Sequence, residues 1–248
     1  MTGPFFKTSF SLFPLFLLAL LSLGMILPTP ATAADQGETA ALAGRIQKRY
    51  AAINSLVADY TRSSRFVALG AQGGRDVQGS GRLIWARPLK LRLEQDKPRQ
   101  ELIITGGGMA WWVRPSRKRA DLYPLNQFTG GLTSLLDALG GLSRLDKDYE
   151  VSLAAPERTG GIPAGSLVLS LQPRVRRADL KELVLWFEPQ GLLLKGFAIY
   201  NLVGDVTTYR LDQVRVNLPV KASDFAFAPP VDYKVADHRP YRGGGKGQ

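Results

Sequence analysis

The chain has 248 residues with no cysteine and one histidine, and its 32 Lys and Arg against 21 Asp and Glu give a formal charge of +11. That inventory excludes a disulfide scaffold, zinc sites built on Cys and His, and Cys/His nucleophile pairs. The length suits one domain, and the positive excess points to acidic partners, an anionic membrane surface or a merely solvated basic face.

Lys7 precedes an apolar run from Leu12 to Leu27, and Ala31-Thr32-Ala33 follows with the small-residue pattern of a signal-peptidase site. Residues 1–33 therefore read as a cleaved secretory signal peptide, and Pro28 and Pro30 argue against an uncleaved anchor. No later stretch is long and apolar enough to span a bilayer as a helix. The mature chain is expected to be exported and soluble, which argues against nucleic acid as a partner. Without a cysteine at the cleavage site the new N-terminus cannot be lipidated.

Asp35 to Glu38 reads as a polar joint. Leu42, Ile46, Arg49/Tyr50, Ile53 and Val57 recur at helical spacing and predict one amphipathic helix from about Thr39 to Arg62. Gly70 to Gly81 reads as a turn or hairpin loop. Arg82 to Glu94 is predicted as one long strand. In it Leu83, Trp85, Arg87, Leu89, Leu91 and Leu93 alternate with Ile84, Ala86, Pro88, Lys90 and Arg92, so they share a face. A guanidinium on an apolar face is costly unless something there hydrogen-bonds it. Either a partner waits inside, or the register breaks at Pro88.

Shorter strands are predicted at Glu101–Ile104, Met109–Arg114 and Arg119–Tyr123, with turns at Thr105–Gly108 and Pro115–Lys118. Leu132, Leu135, Leu136 and Leu139 give a short helical pattern over Thr133–Leu139, bracketed by glycines that allow it to move. Strands resume at Tyr149–Leu153, Ser166–Pro173, Lys181–Glu188, Leu192–Tyr200 and Val206–Leu218. Pro189-Gln190-Gly191 is a tight turn, and Phe225 to Pro230 closes the domain. Arg239 to Gln248 reads as a disordered basic tail, leaving residues 34–238 as the folded domain. A helix followed by a long antiparallel run that curls predicts a mainly β, α+β fold. Its form is an incomplete antiparallel half-barrel closed by short α-helices over a hydrophobic cavity.

The catalytic inventory is poor. A Ser-His-Asp triad would need His238, near the tail, and no G-x-S-x-G, phosphate loop or H-E-x-x-H is present. No catalytic residue, metal or cofactor is assigned, although scattered Asp and Glu leave a carboxylate pair open. What stands out is apolar surface on predicted strands: Trp85, Trp111, Trp112, Trp186, Phe187 and Phe197. These make either an ordinary β core or the wall of a cavity for apolar ligands.

Four stretches carry a family resemblance: Ile53-Asn54-Ser55-Leu56-Val57-Ala58-Asp59-Tyr60-Thr61 at the end of the predicted helix; Gly79-Ser80-Gly81-Arg82-Leu83-Ile84-Trp85-Ala86-Arg87-Pro88; Gly107-Gly108-Met109-Ala110-Trp111-Trp112-Val113-Arg114-Pro115; and Ala222-Ser223-Asp224-Phe225-Ala226-Phe227-Ala228-Pro229-Pro230, followed by Val235. In their order and spacing, from about Ala40 to Val235, the chain resembles the LolA family of periplasmic outer-membrane lipoprotein carriers. The resemblance implies a half-barrel whose helical lid covers a cavity for lipoprotein acyl chains. It implies loading by an inner-membrane ATP-driven complex and hand-over to the outer-membrane receptor LolB, itself lipidated at a cysteine this chain lacks. A monomeric, non-enzymatic carrier without cofactor is expected. It also implies that Arg87 latches the lid through helix carbonyls. Leu83, Trp85, Leu89, Leu91, Leu93, Trp111 and Trp112 would line the cavity, with Tyr50, Ile53, Leu135, Leu136 and Leu139 on the lid. The extra Arg239 to Gln248 has no inherited role. A periplasmic lipid or glycolipid carrier and a lipoprotein-sensing regulator of the same fold are the alternatives.

Overall fold

The computed structural model describes residues 33–67, 76–128, 132–155, 158, 160–177 and 179–240. The predicted leader before Ala33, residues 70–75 of the expected Gly70–Gly81 loop and the tail beyond Pro240 lie outside the described residues, while residues 77–81 of that loop are strand instead, paired on one side throughout and on both sides from Ser80.

Helix α1 runs Ala33–Ala51, starting earlier and stopping sooner than the sequence pattern predicts. It buries the stripe Leu42, Ile46 and Tyr50. The predicted extension to Arg62 is wrong: Ser55–Arg65 is strand β1, paired along most of its length on both sides. Spacing of four residues fits one face of a helix and one face of a strand alike, so Ile53 and Val57 could not separate the two. The strand alternation decides it: Leu56, Ala58 and Tyr60 enter the main core, while Val57 lies on the other face.

The remaining strands are β2 (Val77–Ala86), β3 (Lys90–Lys97), β4 (Glu101–Gly106), β5 (Met109–Arg114), β6 (Arg119–Pro124), β7 (Tyr149–Leu153), β8 (Leu167–Pro173), β9 (Glu182–Phe187), β10 (Leu194–Tyr200), β11 (Val206–Val216) and β12 (Lys234–Asp237). They form one 12-stranded sheet in the order β12-β6-β5-β4-β3-β2-β1-β11-β10-β9-β8-β7. Two meanders thus meet at β1 and β11. All described pairs are antiparallel except β12–β6, which is parallel and was not foreseen. The ends, β12 and β7, do not pair, so the sheet is open. Helices α2 (Leu132–Gly140) and α3 (Leu145–Asp148) lie between β6 and β7.

Flat, such a sheet would be roughly 50 Å wide at the usual strand spacing. Yet side chains from β5 at one side to β8 at the other join a single core cluster with α1 and α2. The sheet therefore wraps around its helices, as the half-barrel expectation requires. The outer face carries smaller clusters: Val184, Trp186 and Ala198 under the β7–β8 connection, and Ala86, Ile104 and Phe225 under the closing segment.

The predicted strand Arg82–Glu94 is in fact a hairpin. Arg87, Pro88 and Leu89 form its turn, and the register does break at Pro88. Leu83 pairs with Leu93 and Trp85 with Leu91, so these four still share a face, through cross-strand pairing rather than along one strand. Gly81 sits beside a register shift in the same pair. A Cβ there would lie 1.8 Å from the Glu94 carbonyl oxygen, so only glycine fits.

Candidate functional site: a sealed apolar interior

The interior is lined by residues from several strands and roofed by helices. Leu83, Trp85, Leu91 and Leu93 are all buried, Trp85 with 1% of its surface accessible. Tyr50 and Ile53 cover them from the end of α1 and the connection after it, and Leu135, Leu136 and Leu139 from α2; all five are buried. Ile53 lies just past the helix rather than on it.

Two expected wall residues are not there. Leu89 occupies the hairpin turn and is 49% exposed. Trp111 faces outward, its ring 5.4 Å from Phe227 of the closing segment. Trp111 and Trp112 are consecutive on a strand, so they cannot both face inward. Trp112 shares a face with the buried Ala110 but sits near the sheet's β12 side, edge-on to Phe128 and beneath Arg114. Among the other aromatics, Phe187 and Phe197 face in and Trp186 faces out.

Arg87 lies where α1 ends. Its Nε donates to the Ile53 carbonyl at 2.8 Å, its Nη2 to the Tyr50 carbonyl at 2.7 Å, and its backbone N–H to the Asn54 carbonyl at 3.0 Å. Helix C-termini leave carbonyls unpaired and carry partial negative charge, so a guanidinium suits the position. Its Cζ is also 5.8 Å from the centre of the Trp85 ring. Asn217 completes the cap, donating to the Ala52 carbonyl at 3.0 Å and accepting from the Asn54 N–H at 2.7 Å. Nothing in the sequence marks Asn217 except its place at the end of a strand, where its φ of 57° favours Asn. Tyr50 adds a second tie: its hydroxyl accepts from the Leu194 N–H at 2.7 Å, beside a register shift in β9–β10. Burial pushes the Tyr50 hydroxyl above its ordinary pKa.

Helix α2 has its own fastening. Thr133 and Ser134 at its start donate to Asp179 at 2.7 and 3.0 Å, and Arg177 bridges Asp137 on the helix to Asp179 on the β8–β9 connection. Burial works to raise the Asp179 pKa, but hydrogen bonds from Arg177 and Thr133 outweigh it and hold the carboxyl at about 2. Burial dominates at Asp137, whose pKa is raised despite Arg177. Thr133, Ser134 and Asp137 lie 40 to 46 residues from the partners they meet at Arg177 and Asp179, so the sequence gives no local pattern for this fastening. No group of three or more metal-ligating side chains occurs among the described residues.

The model of the family described as "Outer membrane lipoprotein carrier protein LolA" matches residues 60–228. The chain belongs to the LolA family. A LolA-family relative from Methylibium petroleiphilum, named an outer-membrane lipoprotein carrier protein, is 27% identical over 163 residues, 66% of this chain and 75% of the relative. One of the same name from Methylococcus capsulatus is 23% identical over 206 residues, covering 83% and 92%. Among solved structures, a LolA superfamily protein from Nitrosomonas europaea aligns with a TM-score of 0.41 at 12% identity, covering 76% of this chain and 97% of that one. Among the described residues no helix is long and apolar enough to cross a membrane.

Proposed function

We propose that this LolA-family chain is a periplasmic carrier that takes lipoprotein acyl chains into its apolar interior. Loading would occur at an inner-membrane releasing complex and delivery at an outer-membrane receptor. The observation that carries the reading is the sealed interior, with Arg87 joining the sheet to the end of α1 at the Tyr50 and Ile53 carbonyls. Acyl chains can enter only if α1 and α2 give way, so this contact is the latch.

The energetics suit a shuttle without its own fuel. Charge-assisted hydrogen bonds contribute about 1.5–3 kcal/mol each, and each buried methylene about 0.8 kcal/mol. Chain burial can therefore offset loss of the latch, while re-exposure of Leu135, Leu136 and Leu139 opposes over-tight binding. Trp85 Nε1 is buried without an acceptor. An ester carbonyl entering beneath α2 would supply one.

Mass spectrometry of protein purified from its exported compartment tests the reading, together with a photo-reactive residue at position 91, which lies buried in the apolar core. Acylated protein bound and cross-linked there is the expected result. Free lipid alone would assign the chain to lipid carriage, and an interior that captures neither would refute both.

A further inference from the structure

A second feature lies at the edge of the sheet, away from the latch. The β3–β4 turn brings Arg99, and the β5–β6 turn brings Ser116 and Arg117, to the mouth of a cavity of about 200 Å³ floored by Trp112, Arg114 and Glu101. Arg99 and Arg117 are exposed and make no side-chain hydrogen bond or ion pair among the described residues. Glu101 accepts from Trp112 Nε1 at 3.1 Å, which takes up part of the only negative charge in the lining.

Arg114 is aimed by its neighbours. Its guanidinium lies 4.1 Å from the centre of the Trp112 ring and donates to Asp121. Asp121 is fully buried and already accepts from Arg119 at 2.7 to 3.1 Å and contacts His238 Nε2 at 3.2 Å. One carboxylate thus serves two arginines and a histidine, and it cannot saturate Arg114. The Nε of Arg114 is buried with no acceptor. A buried guanidinium N–H without a partner is costly, and an anion entering the cavity would supply one.

We propose that this cavity binds a phosphoryl anion, and that Arg99, Arg114 and Arg117 are its ligands. Arg99, Arg114 and Arg117 outnumber Glu101 and Asp121, and Asp121 is shared with Arg119, so the site stays positive. The guanidinium fork matches the tetrahedral oxygens of a phosphate. Trp112 connects the site to the interior face, where Ile103 stands opposite it and packs against the main core. A phospholipid whose head group sat among the arginines would therefore lay its chains along the apolar face. The inference goes beyond acyl carriage, since acyl chains bring no negative charge.

The test titrates the full mature chain with monomeric short-chain phosphatidylglycerol and, separately, with inorganic phosphate, read by calorimetry and by Trp fluorescence. The Arg99→Gln/Arg117→Gln variant changes only exposed side chains, and a thermal melt checks its fold. Removing each guanidinium should weaken binding roughly tenfold. Binding of either anion that falls at least tenfold in the variant supports the site. Tighter binding of the lipid then assigns it to a head group, and equal or tighter binding of phosphate to the free ion. No binding of either anion, or binding unchanged in the variant, overturns it. Capture of acylated protein at position 91 in the same variant reports the carrier reading separately.

Discussion

Arg87→Leu is the sharpest perturbation of the closed state. It removes two side-chain hydrogen bonds, at 2.7 and 2.8 Å, and leaves the backbone bond to Asn54 intact. The Tyr50 carbonyl keeps one donor, the Ile53 N–H at 3.1 Å, whereas the Ile53 carbonyl loses the guanidinium without replacement. Taking charge-assisted bonds at about 1.5–3 kcal/mol each, and allowing a half-buried site some rehydration, the closed state should lose about 2–4 kcal/mol. That is a shift of roughly 30- to 700-fold toward opening. Amide exchange at residues 50–55 should accelerate by that factor, and bis-ANS should bind an interior now more often exposed. Arg87→Lys keeps the charge but not the fork, and should fall between. Wild-type exchange and dye binding in Arg87→Leu would refute the latch. Faster exchange throughout the sheet would show that Arg87 holds the whole fold rather than its lid.

The hairpin makes neighbouring leucines unequal: Leu91→Ala should cost about 2–5 kcal/mol in urea unfolding, while Leu89→Ala, in the exposed turn, should stay within about 0.5 kcal/mol. Equal losses would restore the single long strand. Tyr50→Phe leaves the buried Leu194 N–H without its acceptor and should destabilise by about 1–3 kcal/mol, so an unchanged denaturation midpoint would count against that tie. Acid should weaken the β12 side of the sheet. Burial works upward on Asp121, but hydrogen bonds from Arg119, His238 and Arg114 outweigh it and lower its pKa from 3.8 to about 2. Its contribution is therefore present above about pH 4 and is lost as pH falls toward 2. Asp121→Asn should flatten the stability slope in that window, and an unaltered slope would place the acid sensitivity elsewhere.

Much of the fold was legible locally. Met109–Arg114 is a short apolar run and Tyr149–Leu153 alternates; both have turn residues or a helix beside them and form the strands they predict. The errors fell where local pattern is degenerate. Ile53 and Val57 suit either period, and only the pairing of β1 with β2 and β11 made that segment a strand. Arg87 showed the reverse: its oddity was visible in the sequence, but the alternation placed it on a wall and the structure put it in a turn.

The sequence by itself determined the amount of apolar surface, its division into strands and two longer helical stretches, and the residue at which a charge had to be answered. The tertiary structure decided which tryptophan of the adjacent pair faces in, and that Asn217 and Arg87 together cap α1. It also decided that Asp121 gathers Arg114 and Arg119, and that Arg177 joins Asp137 to Asp179. The physical reason is range. Periodicity is fixed by the backbone within a few residues, whereas a carbonyl at a helix end or a buried carboxylate finds its donors only after distant strands have come together.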